Sequence, residues 1–276
     1  ALTIQNAATV DLAANVDLSG QGVSVATGVT NINLSGADAT TNLITSTGGA
    51  NAVTLAPLTD TNNPNLTITS DGNATLSTIT MGTGTLTVTA GDIVLNGAIN
   101  VGGNVSLTST TADTDLTIAN TITRTSAAAG TLTFSTTRSI FVTTGADITG
   151  MGAGVTNIVL NSDNDATSGG AISLASGTVF TSNGGDITLG GGATPATVAA
   201  IGTAANLHGV EMNNAALNAG GGSISVIGTG SNTSTGQRGL EIYGGSTIQT
   251  SGTGTIAFTG TGGAAGSVNF GVRLDG

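Results

Sequence analysis

The chain has 276 residues, of which only 7% are charged; 45 are glycine and 52 threonine, and cysteine, tryptophan and lysine are absent. Four arginines against 15 acids leave a net charge of −11, which argues against nucleic acid and anionic membrane surfaces as partners. No apolar run approaches the ~20 residues of a membrane span, and a chain rich in Thr, Gly, Asn and Val is a poor helix former.

A Gly/Ser/Thr/Asn composition also suits disorder. Here, however, hydrophobic residues reach 38%, mean hydropathy is +0.30, and the aliphatic residues recur regularly. Apolar-x-apolar triplets begin near the start, at Val10-Asp11-Leu12, Val16-Asp17-Leu18, Val23-Ser24-Val25 and Ile32-Asn33-Leu34. Period-two alternation predicts strands with one buried face, here short and separated by Gly, Asn, Ser or Asp, which favour turns. Residues 36–80 fit the period badly and leave their corners unassigned.

The tightest stretch holds Leu86-Thr87-Val88, Ile93-Val94-Leu95, Ile99-Asn100-Val101 and Val105-Ser106-Leu107. Three short faces close in 19 residues and the fourth triplet returns to the first position, which predicts one triangular turn of a parallel β-helix. Antiparallel hairpins would need Asn-Gly-type loops at alternate joints, and only Asn96-Gly97 fits.

Beyond residue 170 the period lengthens. Gly209-Val210-Glu211-Met212, Gly239-Leu240-Glu241-Ile242 and Gly271-Val272-Arg273-Leu274 recur at spacings of 30 and 32, each of the first two followed by an apolar position (Leu217, Ile248) and a triplet (Ile224-Ser225-Val226, Ile256-Ala257-Phe258). Ala171-Ile172-Ser173-Leu174, Val179 and Ile187-Thr188-Leu189 form an earlier copy with a longer connection. In that connection Thr194 suits a cap and Pro195 a first helical position, so a single helical turn is expected.

The predicted fold is all-β: one parallel β-helical solenoid over 1–276, with coils of about 19–22 residues in 1–165 and about 30–32 in 171–276. Roughly 10–13 rungs at ~4.8 Å each give a stack ~50–60 Å long. The sequence stops one strand into a new copy, at Leu274-Asp275-Gly276, with no capping pattern, so a longer polypeptide or a subunit stacking end to end is expected.

Repeats such as Gly184-Gly185-Asp186-Ile187-Thr188-Leu189-Gly190 and the run from Ser246 to Ile256 resemble the shafts of filamentous haemagglutinin-like bacterial exoproteins. The resemblance covers most of the chain and implies a right-handed parallel β-helix exported to the cell surface or beyond. That family's secretion domain carries Asn-Pro-Asn, which Asn63-Pro64-Asn65 matches, but the companion motif with Gly is missing; a Pro-containing turn before Leu66-Thr67-Ile68 is the simpler expectation.

Candidate sites are few. Asp113/Asp115 and Asp163/Asp165 are i,i+2 pairs which, in a strand, would point the same way at ~6.5–7 Å, near the separation used by inverting glycosidases. His208-Gly209 resembles a pair found in β-helical polygalacturonases, yet Arg238 and Phe270 take the place of His208 in the next two units and no Arg-x-Lys element exists. Asp163 to Gly169 alternates oxygen donors but lacks the calcium loop's sixth-position glycine. Thr-x-Thr at Leu66–Thr69 and Thr85–Thr89 fits an ice-binding array locally, then gives way to Val105-Ser106-Leu107 and Ile158-Val159-Leu160. Sugar stacking lacks aromatic platforms, with one tyrosine (Tyr243) and five phenylalanines expected mostly inward.

No residue is assigned a catalytic, cofactor-binding or metal-binding role, and no cofactor is expected. The expected function is a non-catalytic shaft or filament segment of a bacterial cell-surface or extracellular adhesin-like protein. Its expected partner is itself, by stacking or as part of a longer chain, with any surface glycans bound by regions outside this segment. A polysaccharide-active enzyme and an ice-binding solenoid are the alternatives.

Overall fold

A computed structural model describes residues 52–60, 64–152, 154–167, 169–233 and 235–276 throughout; before residue 52 it gives the strand backbones between 2 and 46 and the side chain of Ile44. Every strand pair is parallel and joins residues one coil apart. Leu86–Ala90, Ile93–Leu95 and Ile99–Val101 lead to Val105–Ser109, where Leu86 lies beside Val105 and Val88 beside Leu107. Three strands therefore close a coil in nineteen residues. Repeated along the chain, this builds three sheets of 11, 10 and 11 strands, the third including Ile256–Thr261, which pairs with Ile224–Thr229. The protein is a parallel β-helix, and eleven strands at ~4.8 Å extend for about 48 Å.

The strands within 36–80 are Thr41–Ser46, Val53–Leu55, Leu58–Asp60, Asn65–Ser70, Ala74–Leu76 and Ile79–Met81. Val23 pairs with Val53, so a thirty-residue coil lies among the shorter ones and obscures the period there. From Ile140 onward the coils are long: Ile140 pairs with Ile172, Ile172 with Val210, Val210 with Leu240 and Leu240 with Val272.

The core consists of columns and not of layers. Ile68, Val88, Leu107, Phe134, Leu160, Leu189 and Val226 stack in register on the inner side of the third sheet, and all are fully buried. Each side chain is covered by the coils before and after it, so no coil buries its own inner face alone. Burial of a Leu, Val or Phe of this kind stabilises by roughly 1.5–3 kcal/mol.

Corners are tied by side chains as well as by turn geometry. At or just before the start of four third-sheet strands a side chain accepts from the backbone of the next coil: Asn65 Oδ1 from Thr85 N–H at 2.8 Å, Asn104 Oδ1 from Thr131 at 2.8 Å, Asn157 Oδ1 from Asp186 at 2.9 Å and Asp186 Oδ1 from Ser223 at 2.7 Å. The other corners do the same through Asp115 (Ser139 N–H, 3.0 Å), Ser139 Oγ (Ala171, 3.1 Å) and Asp147 (Val179, 2.9 Å). A backbone N–H at a corner or strand start lacks a ladder partner, and an Asn, Asp or Ser side chain one coil away supplies the acceptor.

One local expectation changes. The sequence reading puts Val179 in the core, but Phe180 pairs with Ile148 and Leu217 and is fully buried, while Val179 is exposed. The apolar pair Val179-Phe180 breaks the alternation, and the larger side chain takes the interior. The single turn expected after Thr194 forms and does not extend into a helix. Val198 N–H donates to the Thr194 carbonyl at 2.9 Å in one isolated turn, and Ala200–Ile201 then pairs with Gly228 and Thr229. The sharp return needs a glycine: a Cβ on Gly190 would lie 2.0 Å from the Pro195 carbonyl oxygen.

Candidate functional site

The spacings of 30 and 32 residues bring the scarce ionic groups of the C-terminal third together. Glu211, Glu241 and Arg273 share one outward column of the first sheet. His208, Arg238 and Phe270 stand two residues before the strand positions Val210, Leu240 and Leu240's partner Val272, so they also stack. At the centre lies Glu241, 5% exposed. Its carboxylate accepts from Arg238 Nη1, from Arg273 Nη1 at 2.8 Å and from His208 Nε2 at 3.2 Å. His208 Nδ1 accepts the Arg238 backbone N–H at 3.2 Å, which assigns the ring proton to Nε2. Beside this group the Tyr243 hydroxyl donates to Glu211 Oε1 at 2.8 Å.

Burial lowers the pKa of His208; the attraction of Glu241 and Glu211 opposes that shift, while Arg238 and Arg273 add to it. The imidazole is therefore neutral at pH 7 and donates an ordinary hydrogen bond. Burial, together with the bond to Glu211, pushes Tyr243 up to about 12, so its hydroxyl keeps its proton. Two guanidinium groups and an imidazole converge on one carboxylate, and a phenol holds the other. Chemically it clamps three successive coils together.

Sequence analysis singles out only His208 among these residues and does not bring the cluster together. The signal was present in the aligned copies Gly-Val-Glu-Met, Gly-Leu-Glu-Ile and Gly-Val-Arg-Leu, which put Glu211, Glu241 and Arg273 at one offset.

The acidic pairs fall at corners, where the strand rule for i,i+2 residues does not apply. Asp113 occupies a turn with φ 56° and is exposed, whereas Asp115 is held by Arg138 through Nε at 2.7 Å and Nη2 at 2.5 Å. Asp163 is buried with φ 50° and accepts Thr167 N–H at 3.1 Å; exposed Asp165 accepts from the Thr167 hydroxyl at 3.0 Å. Asp163 and Asp165, weighed above as calcium donors, thus bond within their own turn. Among the described residues no three His, Cys, Asp or Glu side chains converge as a metal site.

Asn63 lies outside the described residues; Pro64 directly precedes the strand Asn65–Ser70. The hydroxyl rows run Thr67, Thr87, Ser106, Thr133 and stop at Val159, with Thr69, Thr89, Thr108 and Ser135 beside them. Phe134 and Phe180 are buried, and Phe258 packs partly against the core. Phe141, however, faces outward next to Thr117, and Phe270 is exposed. The expectation of inward phenylalanines fails at these two because Phe141 is the middle residue of its strand and Phe270 precedes one.

Comparison with family models, curated proteins and solved structures finds no match.

Proposed function

We propose that this chain is a structural shaft segment of a bacterial cell-surface or extracellular adhesin-like protein, of the filamentous haemagglutinin-like kind. The observation that carries this reading is the unbroken inward column from Ile68 to Val226, with parallel pairing from each coil to the next. A rod built this way resists extension along its axis through many backbone hydrogen bonds in parallel and needs no chemistry of its own. The clamp at Glu241 and the corner bonds serve the same purpose by fixing each coil to its neighbour.

The partner is another coil of the same kind, in an adjoining stretch of polypeptide or a second copy.

Immunogold labelling of source cells with antibody raised against residues 171–276 tests the reading. Label on filaments standing off the outer surface is expected; label confined to the cytosol overturns it.

A further inference from the structure

The chain contains two Asn-Gly pairs, Asn96-Gly97 and Asn183-Gly184, both at corners and both with the asparagine exposed. Such a pair is chemically labile. Glycine has no side chain to hinder its backbone nitrogen, which can reach the side-chain carbonyl carbon of the asparagine before it. Sequence alone makes the two pairs equivalent, and the fold separates them.

At Asn183 both reacting groups are tied down. The Gly184 N–H donates to the Ala219 carbonyl of the next coil at 2.8 Å, and Asn183 Nδ2 donates to the Gly152 and Gly154 carbonyls of the preceding one at 2.7 and 3.3 Å. Asn96 lies at the corner between Ile93–Leu95 and Ile99–Val101. Its own N–H donates to the Leu76 carbonyl at 2.8 Å, and Asn120 Nδ2 holds the Leu95 carbonyl at 2.9 Å. Among the described residues, however, neither the Gly97 N–H nor the Asn96 side-chain amide has a hydrogen-bond partner. Asn96 also borders an open cavity of about 240 Å³. The glycine cannot be exchanged for a slower residue, because a Cβ on Gly97 would lie 2.4 Å from the Thr78 nitrogen of the preceding coil. Close packing between coils therefore preserves the labile pair.

We propose that Asn96 is a site of spontaneous covalent modification, converting to aspartate and isoaspartate through a cyclic imide with Gly97. The Gly97 nitrogen gives its proton to solvent and bonds to Asn96 Cγ; the Cγ–Nδ2 bond breaks and the nitrogen leaves as ammonia, taking a proton from water. Water then opens the ring. Attack at Cγ restores the normal backbone with an aspartate, and attack at the main-chain carbonyl gives isoaspartate, whose main chain is one carbon longer. Neither step changes an oxidation state. Either product adds a carboxylate beside the cavity that Asp92 and Asp115 already line. The inference does not rest on the shaft reading, since it needs only the local geometry of the two corners.

The test incubates the folded 276-residue protein at neutral and mildly alkaline pH and follows both sites by peptide mapping, with fragmentation that distinguishes aspartate from isoaspartate. Each hydrogen bond that must break first slows the attack roughly fivefold, so Asn96 is expected to convert more than about tenfold faster than Asn183. Both products are expected at Asn96, at a rate that rises with pH because the attacking nitrogen must lose its proton. In urea the protection of Asn183 is expected to vanish and the two rates to converge. Asn96→Gln, checked by circular dichroism for an unchanged fold, is expected to abolish the fast conversion. The proposal is overturned if Asn96 stays intact while a free Asn-Gly peptide converts, if Asn183 converts as fast as Asn96 in the folded protein, or if aspartate forms without isoaspartate.

Discussion

Replacing Glu241 by alanine removes the carboxylate on which Arg238, Arg273 and His208 converge. Removing one partner of a buried ion pair costs about 3–5 kcal/mol, because the other charge stays desolvated. Arg238 keeps 16% of its side-chain exposure and already has a buried, unpartnered Nε, so its guanidinium relaxes only in part. Arg273, at 38% exposure, turns to solvent or to Asp275 and contributes no more than about 1 kcal/mol. The neutral bond from His208 adds about 1 kcal/mol. A net loss of about 2–4 kcal/mol follows for Glu241→Ala once Arg238's partial exposure is discounted. The double variant Arg238→Met, Glu241→Leu removes both charges and keeps much of the volume, so it is expected to recover most of that loss. Urea unfolding followed by tyrosine fluorescence measures this directly, since Tyr243 is the chain's only tyrosine and there is no tryptophan. Its hydroxyl sits on Glu211 inside the cluster, so the signal reports the coils that carry the change. A loss below about 1 kcal/mol, or a double variant no more stable than the single one, would refute the reasoning.

Other expectations concern the core, the corners and pH. Leu160→Ala opens a cavity between Phe134 and Leu189 and is expected to cost about 2–5 kcal/mol by thermal unfolding; a change under 1 kcal/mol would mean that neighbouring coils close the gap. Asn157→Ala strips the acceptor from the Asp186 N–H, and a loss of about 1 kcal/mol is expected, with Asn157→Asp retaining most of the stability. Gly170→Ala puts a Cβ 1.9 Å from the Arg138 carbonyl oxygen, so a loss of about 3 kcal/mol or a failure to fold is expected, and an unperturbed melt would count against the close approach. Burial holds the pKa of His208 below its ordinary 6.5, opposed by Glu241 and Glu211 and reinforced by Arg238 and Arg273. Between those two values the unfolded chain binds a proton that the folded chain does not, so this contribution is full above about pH 6.5 and declines as pH falls. His208→Gln is expected to flatten that part of the stability–pH curve, and an unchanged slope would assign it to other groups.

The triplets from Leu86 to Leu107 contained the fold, because a period-two pattern that closes in nineteen residues leaves a short-stranded coil little alternative to stacking on itself. The same arithmetic paired Val210, Leu240 and Val272 in advance. Alternation could not choose between Val179 and Phe180, since both are apolar and only the space inside the coil distinguishes them. Nor could spacing show that Asn65, Asn104 and Asn157 each hold the next coil's backbone, because that bond joins residues twenty or more positions apart.

Charge divides along the same line. The sequence by itself determined that ionic groups are few and the interior aliphatic, which follows from composition and period alone. Only the tertiary structure decided that Glu211, Glu241, Arg273, Arg238 and His208 meet on one face, and that Asp115 and Arg138 lie under a loop from two coils further on. Contact between coils depends on loop length at every corner, and loop length sets register only when the whole stack is built.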